Sequence, residues 1–347
     1  MNPAGRRSTN HVVHAVRPTD SIKVDSTFID TPCCHTVSTA PEGDLSMTTP
    51  IDQLTHILSI FVNPDFYASN YEFDTTRKSK DIVDSLLLSP IPGVELIDPI
   101  NYYEEAEKII SSIHSPKYVS AVRTGKPRAL AQSSSFTWDK DIYTMARAHV
   151  AGMVAAAISA LMTGGRVGSL SSGMHHASFG SGSGFCTFNG LAAAIKAAID
   201  TGVQRTLCLD YDAHAGGGTW NIMQKLFPES VVQVDVTVSA FDTWTPSGDS
   251  RLDIVEPSEY RAAIAESLDY ASSLSPFDLV IYNAGVDIRN SGVSEADLRA
   301  REKMVSDFIG ATPAVFGLAG GYTWGRYNID DVVGWHRLTI NEWAKPR

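Results

Sequence analysis

The chain reads as an α/β protein, a single-domain open parallel sheet with helices on both faces. Three observations predict this. From residue 166 to residue 318, short apolar segments rich in β-branched residues alternate with longer segments of helical period. The short segments are nearly continuous apolar runs, as expected of strands covered on both sides. Of 347 residues, 43% are hydrophobic and 19% charged, which excludes a disordered chain and supports one large core. No repeat or linker interrupts residues 51–347, so they are expected to form one domain. Residues 1–50 are polar, carry Ser, Thr and Pro, and lack periodicity; they read as a poorly ordered tail.

The elements follow in order. Lys80 to Leu88 has the pattern of a short amphipathic helix. Tyr102 to Ile113 has helical spacing, with Glu104, Glu105 and Glu107 near its start, where the helix dipole favours acids. Asp141 to Met162 is long, Ala-rich and expected to be a buried helix. Arg166 to Leu170, Thr206 to Leu209, Val231 to Val236, Leu279 to Tyr282 and Ala314 to Leu318 are predicted strands. Between them, Asn189 to Ile199, Ser258 to Ser273 and Glu295 to Ile309 are predicted helices, the last with Ser294 as N-cap.

Lys and Arg total 28 against 39 Asp and Glu, a formal net charge of −11. An acidic surface argues against direct nucleic-acid binding, which needs a basic face for phosphates. The longest apolar run, Val150 to Met162, is shorter than the roughly 20 residues a bilayer needs, so no membrane association is expected. The N-terminus has no apolar h-region. The four cysteines, Cys33, Cys34, Cys186 and Cys208, form neither a disulfide framework nor a zinc ribbon. A reducing compartment is expected, the cytoplasm or, in a eukaryote, the nucleus. Oligomeric state is open.

In a parallel sheet, ligands bind beyond the carboxyl ends of the strands. Four predicted strand ends carry chemistry: Gly173-Met174-His175-His176-Ala177, Asp210-Tyr211-Asp212-Ala213-His214, Asn283-Ala284-Gly285-Val286-Asp287, and Ala319-Gly320-Gly321-Tyr322. Asp212 and His214, two apart on an extended segment, project to one side. With Asp287 they offer two carboxylates and an imidazole, a set that suits a water-activating divalent metal. A lone Asp-x-His also caps helices; the joint placement at strand ends favours the metal. The His175-His176 pair suits general acid–base work near neutral pH. Tyr322, behind a Gly pair, suits donation to a developing oxyanion.

Together with Gly184-Phe185-Cys186-Thr187-Phe188-Asn189 and His114-Ser115-Pro116-Lys117-Tyr118, these segments resemble the zinc-dependent histone deacetylase family of the arginase/deacetylase superfamily, in order and spacing, over about residues 55–345. The Asp-Ala-His and Asn-Ala-Gly-x-Asp wording is closest to the class IV branch. The resemblance implies a hydrolase acting on amide C–N bonds, with one Zn²⁺ on Asp212, His214 and Asp287. It implies His175 and His176 as the catalytic pair, Asp210 orienting His175, and Tyr322 polarising the carbonyl. Phe185 would wall a channel for an acyl-lysine stem, with the Gly184 carbonyl near the scissile amide and Trp244 as opposite wall. Asp210 and Asp235 would belong to a monovalent-cation site. The substrate would be an acylated protein lysine or a small acylated amine such as an acetylpolyamine.

Two features depart from the family pattern. Ala215-Gly216-Gly217-Gly218 follows the metal-binding His, and Gly217 stands where an Asp or Asn would hold the second catalytic His. The expectation is that His176 is poorly oriented and that Gly217→Asn speeds the enzyme. The loop between Thr124 and Asp139 shows no match to the family's acidic substrate-gripping residue. A catalytically weak acyl-lysine-binding relative is the alternative that Gly217 raises. A binuclear manganese ureohydrolase is set aside, because Gly216, Ile288 and Arg289 stand where second-metal carboxylates would be needed.

Overall fold

The computed structural model describes residues 57–69 and 77–346; the predicted tail lies outside them. Eight described strands form one all-parallel sheet: β1 (Leu58–Phe61), β2 (Val94–Ile97), β3 (Arg166–Ser169), β4 (Thr206–Asp210), β5 (Val231–Thr237), β6 (Arg251–Ile254), β7 (Leu279–Gly285) and β8 (Ala314–Ala319). Their order is β2-β1-β3-β8-β7-β4-β5-β6. The five predicted strands are all present. β1, β2 and β6, which lacked a strong signal, are four-residue strands towards the two edges of the sheet.

The helices are α1 (Lys78–Leu88), α2 (Tyr103–Ile113), α3 (Pro116–Thr124), α4 (Arg128–Ala131), α5 (Ile142–Thr163), α6 (Gly190–Asp200), α7 (Gly217–Leu226), α8 (Tyr260–Ser273), α9 (Glu295–Ile309) and α10 (Ile329–Trp343). Ser294 caps α9 by accepting the Asp297 N–H at 3.1 Å. α10 went unpredicted, although Asn328 and Asp331 form a reciprocal capping box at its start. α7 opens on Gly-Gly, a poor helix signal.

Strand side chains alternate between two cores. Val167, Cys208, Ile281 and Val315 pack with Met153 of α5 and Leu191 and Ile195 of α6. Leu209, Tyr282 and Phe316 belong to the other core with Trp343 of α10. Trp343 stacks on Tyr282 with centroids 6.2 Å apart and meets Phe316 edge-on at 5.0 Å. Each such aromatic contributes roughly 1.5–3 kcal/mol by leaving water. α5 is long and apolar enough to cross a bilayer, yet most of it is buried against the sheet and α6, which accounts for its apolar circumference. β3, β8, β7 and β4, the four central strands, place their carboxyl ends side by side. Asp210 pairs in register with Asn283 on one side and Asp235 on the other.

Candidate active site

The four central strand ends bring the predicted residues to one cavity, lined among others by His175, His176, Phe185, Asp212, His214 and Tyr322. Asp210 is the last residue of β4, and Asp212 and His214 follow it. Asp287 opens a short 3-10 turn just beyond β7. The ligand atoms of Asp212, His214 and Asp287 lie within 4.8 Å of one another. His214 Nδ1 is 3.2 Å from both Asp212 Oδ1 and Asp287 Oδ2. Asp212 Oδ2 and Asp287 Oδ2 are buried and take part in no hydrogen bond. Two buried carboxylates with unsatisfied oxygens beside an imidazole fit a divalent cation. Burial disfavours a charge on His214, but the adjacent Asp212 and Asp287 carboxylates outweigh it and raise its pKa to about 11. Burial and then the Asp212 charge raise the Asp287 pKa from its ordinary value. These shifts register a negative field that a metal would satisfy.

Each histidine of the pair has an acid on Nδ1. His175 Nδ1 lies 2.8 Å from Asp210 Oδ2, while Asn283 donates to Asp210 Oδ1 at 2.8 Å. His176 Nδ1 lies 2.7 Å from Asp242 Oδ2. The expectation of an unsupported His176 is therefore corrected: a residue 25 positions beyond Gly217 supplies its carboxylate. The rings are 3.8 Å apart, tilted by 36°, and His175 Nε2 is 3.6 Å from Asp212 Oδ1. Both histidines also cluster with Asp212. The Asp212–His214–Asp287 group fits a metal better, because it holds the unsatisfied carboxylate oxygens. Burial lowers His176, with the His175 charge adding, to about 4. In His175, burial is outweighed by Asp210 and Asp212, which raise it to about 10.

Tyr322 follows β8 past Gly320, whose φ is +55° and whose hypothetical Cβ would sit 2.3 Å from Asp287 Cγ. Only glycine permits both that turn and that approach. Asn290 clamps the Tyr322 backbone from both sides, accepting its N–H at 3.1 Å and donating to its carbonyl at 2.9 Å. Burial, then the Asp287 charge, pushes the Tyr322 phenol well above its ordinary pKa, so it remains a proton donor. Gly184 and Phe185 line the same cavity. Phe185 has φ +63°, an uncommon conformation for a bulky residue. Its N–H donates to the Ser134 carbonyl at 2.9 Å, and its ring centroid is 6.4 Å from that of Tyr322.

One expectation is corrected here. Trp244 does not line the cavity: its indole N–H donates to Asp235 at 2.7 Å and its ring stacks on Trp220 at 4.2 Å. The aromatic that this loop brings to the site is Phe241, edge-on to His176 at 4.9 Å and to His214 at 5.7 Å. Asp235 stands beside Asp210 on the neighbouring strand, and burial with the Asp210 charge raises its pKa to about 8. Asp235 accepts from Gly216 N–H, Gln233 and Trp244, and Asp210 is engaged by His175 and Asn283.

Sequence reading also missed Lys78 and His149, which line the cavity from α1 and α5. Lys78 donates to Ser172 Oγ at 2.7 Å, and burial lowers its pKa to about 8 against the fields of Asp287 and Asp212. A lysine beside Ser79 on the buried face of α1 was the available signal. His114 and Tyr118 stand behind the site. Tyr118 donates to the Thr187 carbonyl at 2.5 Å, and His114 Nε2 accepts the Asn189 N–H at 3.0 Å.

An all-parallel sheet with an Asp-His-Asp cluster and two histidine–acid pairs at its carboxyl edge defines a hydrolase of the arginase/deacetylase class. The comparisons agree. Residues 74–249 match the histone deacetylase domain, and the chain belongs to that family. It is 32% identical to an uncharacterized protein of Picosynechococcus over 65% of this chain and 78% of that one. It is 25% identical to histone deacetylase 2 of Arabidopsis thaliana over 65% of this chain and 63% of that one. The crystal structure of an acetylpolyamine aminohydrolase from Burkholderia pseudomallei superposes with a TM-score of 0.67 at 16% identity, covering 82% of this chain and 98% of that one.

Proposed function

We propose that the chain is a zinc-dependent amidohydrolase that removes an acetyl or longer acyl group from the lysine side chain of a protein. The observation that carries this reading is the joint placement of the His175–Asp210 and His176–Asp242 pairs, Tyr322 and the Asp212–His214–Asp287 cluster around one cavity. Asp212, His214 and Asp287 would hold one Zn²⁺. When bound, the ion supplies Lewis-acid polarisation of the amide carbonyl and acidifies water. The residues do the rest. One histidine of the pair takes the proton of the attacking water and its neighbour returns one to the departing amine. Tyr322 donates to the carbonyl oxygen as negative charge grows there. Phe185 walls the acyl-lysine stem and excludes water.

A small acylated amine is the second reading, supported by the structural likeness to an acetylpolyamine aminohydrolase and by a net charge of −11. The test is a panel of acyl-lysine peptides and acetylated polyamines offered to zinc-loaded protein. Turnover of the peptides is expected. Turnover of polyamines alone transfers the assignment to the second reading, and turnover of neither removes both.

A further inference from the structure

Accepting the deacylase reading, we propose that Asp242 is the positioning residue for His176, and that Gly217 is glycine so that Asp242 can reach it. Asp242 Oδ2 lies 2.7 Å from His176 Nδ1 and also accepts the Gly218 N–H at 3.1 Å, which anchors the carboxylate at the first turn of α7. The arrangement matches the 2.8 Å contact between Asp210 and His175. Nδ1 and Nε2 lie on different edges of the ring, so a carboxylate on Nδ1 puts the proton there and leaves Nε2 as the acceptor.

The loop is built for this contact. Asp242 has φ +58°, a conformation few non-glycine residues adopt. The preceding Phe241 packs on His176, and its carbonyl accepts the Ala215 N–H at 3.2 Å, tying the loop to the segment after His214. A Cβ at Gly217 would lie 2.3 Å from the Asp242 carbonyl oxygen and 2.5 Å from Asp242 Oδ1. A side chain at 217 and this placement of Asp242 therefore exclude each other. The carboxylate enters from the loop after β5 into space that a side chain on α7 would otherwise fill.

The test uses the full, zinc-loaded chain. Asp242→Gly removes the carboxylate while easing the positive φ, so loss of function cannot come from backbone strain. It is expected to lower kcat about 10–100-fold, with KM and zinc content unchanged. The single Nδ1–H tautomer of His176, read by ¹⁵N imidazole NMR and assigned with His176→Gln, is expected to give way to a tautomer average. Asp242→Asn keeps an acceptor and should retain the tautomer and most of the rate. An Asp242→Gly enzyme with wild-type kcat and tautomer overturns the proposal. So does a kcat loss with the tautomer intact. Wild-type protein that hydrolyses no amide defeats the deacylase reading instead, and the tautomer comparison still decides the role of Asp242.

Discussion

Tyr322 lies flat against Trp324, their ring centroids 4.4 Å apart and their planes 10° from parallel. Trp324 is 52% exposed, so the stack backs the Tyr322 ring from the solvent side. With Asn290 fixing the backbone, Tyr322→Phe should leave the ring in place and remove only the hydroxyl. Expected are a kcat lower by about 10²–10³-fold, an unchanged metal content and an unchanged melting temperature. Wild-type kcat would reduce Tyr322 to a packing residue.

Asp212→Ala and Asp287→Ala should each lose metal and activity together, because each removes a ligand and leaves the other buried carboxylate unbalanced. Elemental analysis of the purified wild-type chain should find about one zinc. Two tightly held manganese ions would contradict the assignment.

His114 carries an acid-sensitive share of the stability. It is buried, its Nδ1 bonds the Ser178 carbonyl at 2.8 Å, and its Nε2 accepts from Asn189. Burial lowers its pKa from 6.5 to about 4. Above 6.5 it is neutral in both states. Between 6.5 and 4 the unfolded chain binds a proton that the folded chain refuses, so stability falls as pH falls through that window. The shift corresponds to roughly 3 kcal/mol. Urea midpoints at pH 7 and pH 4.5 should fall further for wild type than for His114→Gln. Equal falls would assign the acid sensitivity elsewhere, for instance to buried His149.

Arg301 of α9 ties together the backbone around both carboxylate ligands. Its guanidinium donates to the carbonyls of Tyr211 at 2.8 Å and Gly285 at 2.5 Å, and it pairs with buried Glu302 at 2.5 Å. Arg301→Leu leaves the buried Glu302 charge without its cation, with only the Tyr282 hydroxyl still donating to it, and should cost about 3–5 kcal/mol in denaturant titrations. A loss below 1 kcal/mol would show that the pair is dispensable.

The site was legible wherever chemistry sits directly after a central strand. His175, Asp212, His214, Asp287 and Tyr322 each follow an apolar run, and the parallel sheet does the gathering. Asp242 was not legible. It sits in a loop without periodicity, and only the fold carries it 66 positions back to His176. Trp244 was read as the channel wall, but the loop brings Phe241 to His176 and turns Trp244 towards Asp235. Lys78 and His149 were hidden because helix spacing marks buried positions without saying which of them face a cavity. The expected effect of Gly217→Asn reverses accordingly. The new side chain would strike Asp242, so the rate should fall; a faster variant would restore the original expectation.

β4 and β7 are hydrogen-bonded neighbours, yet they are distant along the chain. The Ala213 N–H reaches Asp287 Oδ1 at 3.1 Å across 74 positions. Parallel partners so far apart must close a long loop before their contacts repay the entropy. An unfolded chain therefore holds Asp212 and His214 close by but has no third ligand within reach. Zinc should act on the finished sheet as a lock. Raising its concentration should slow unfolding and raise stability by mass action, while leaving the rate of folding unchanged.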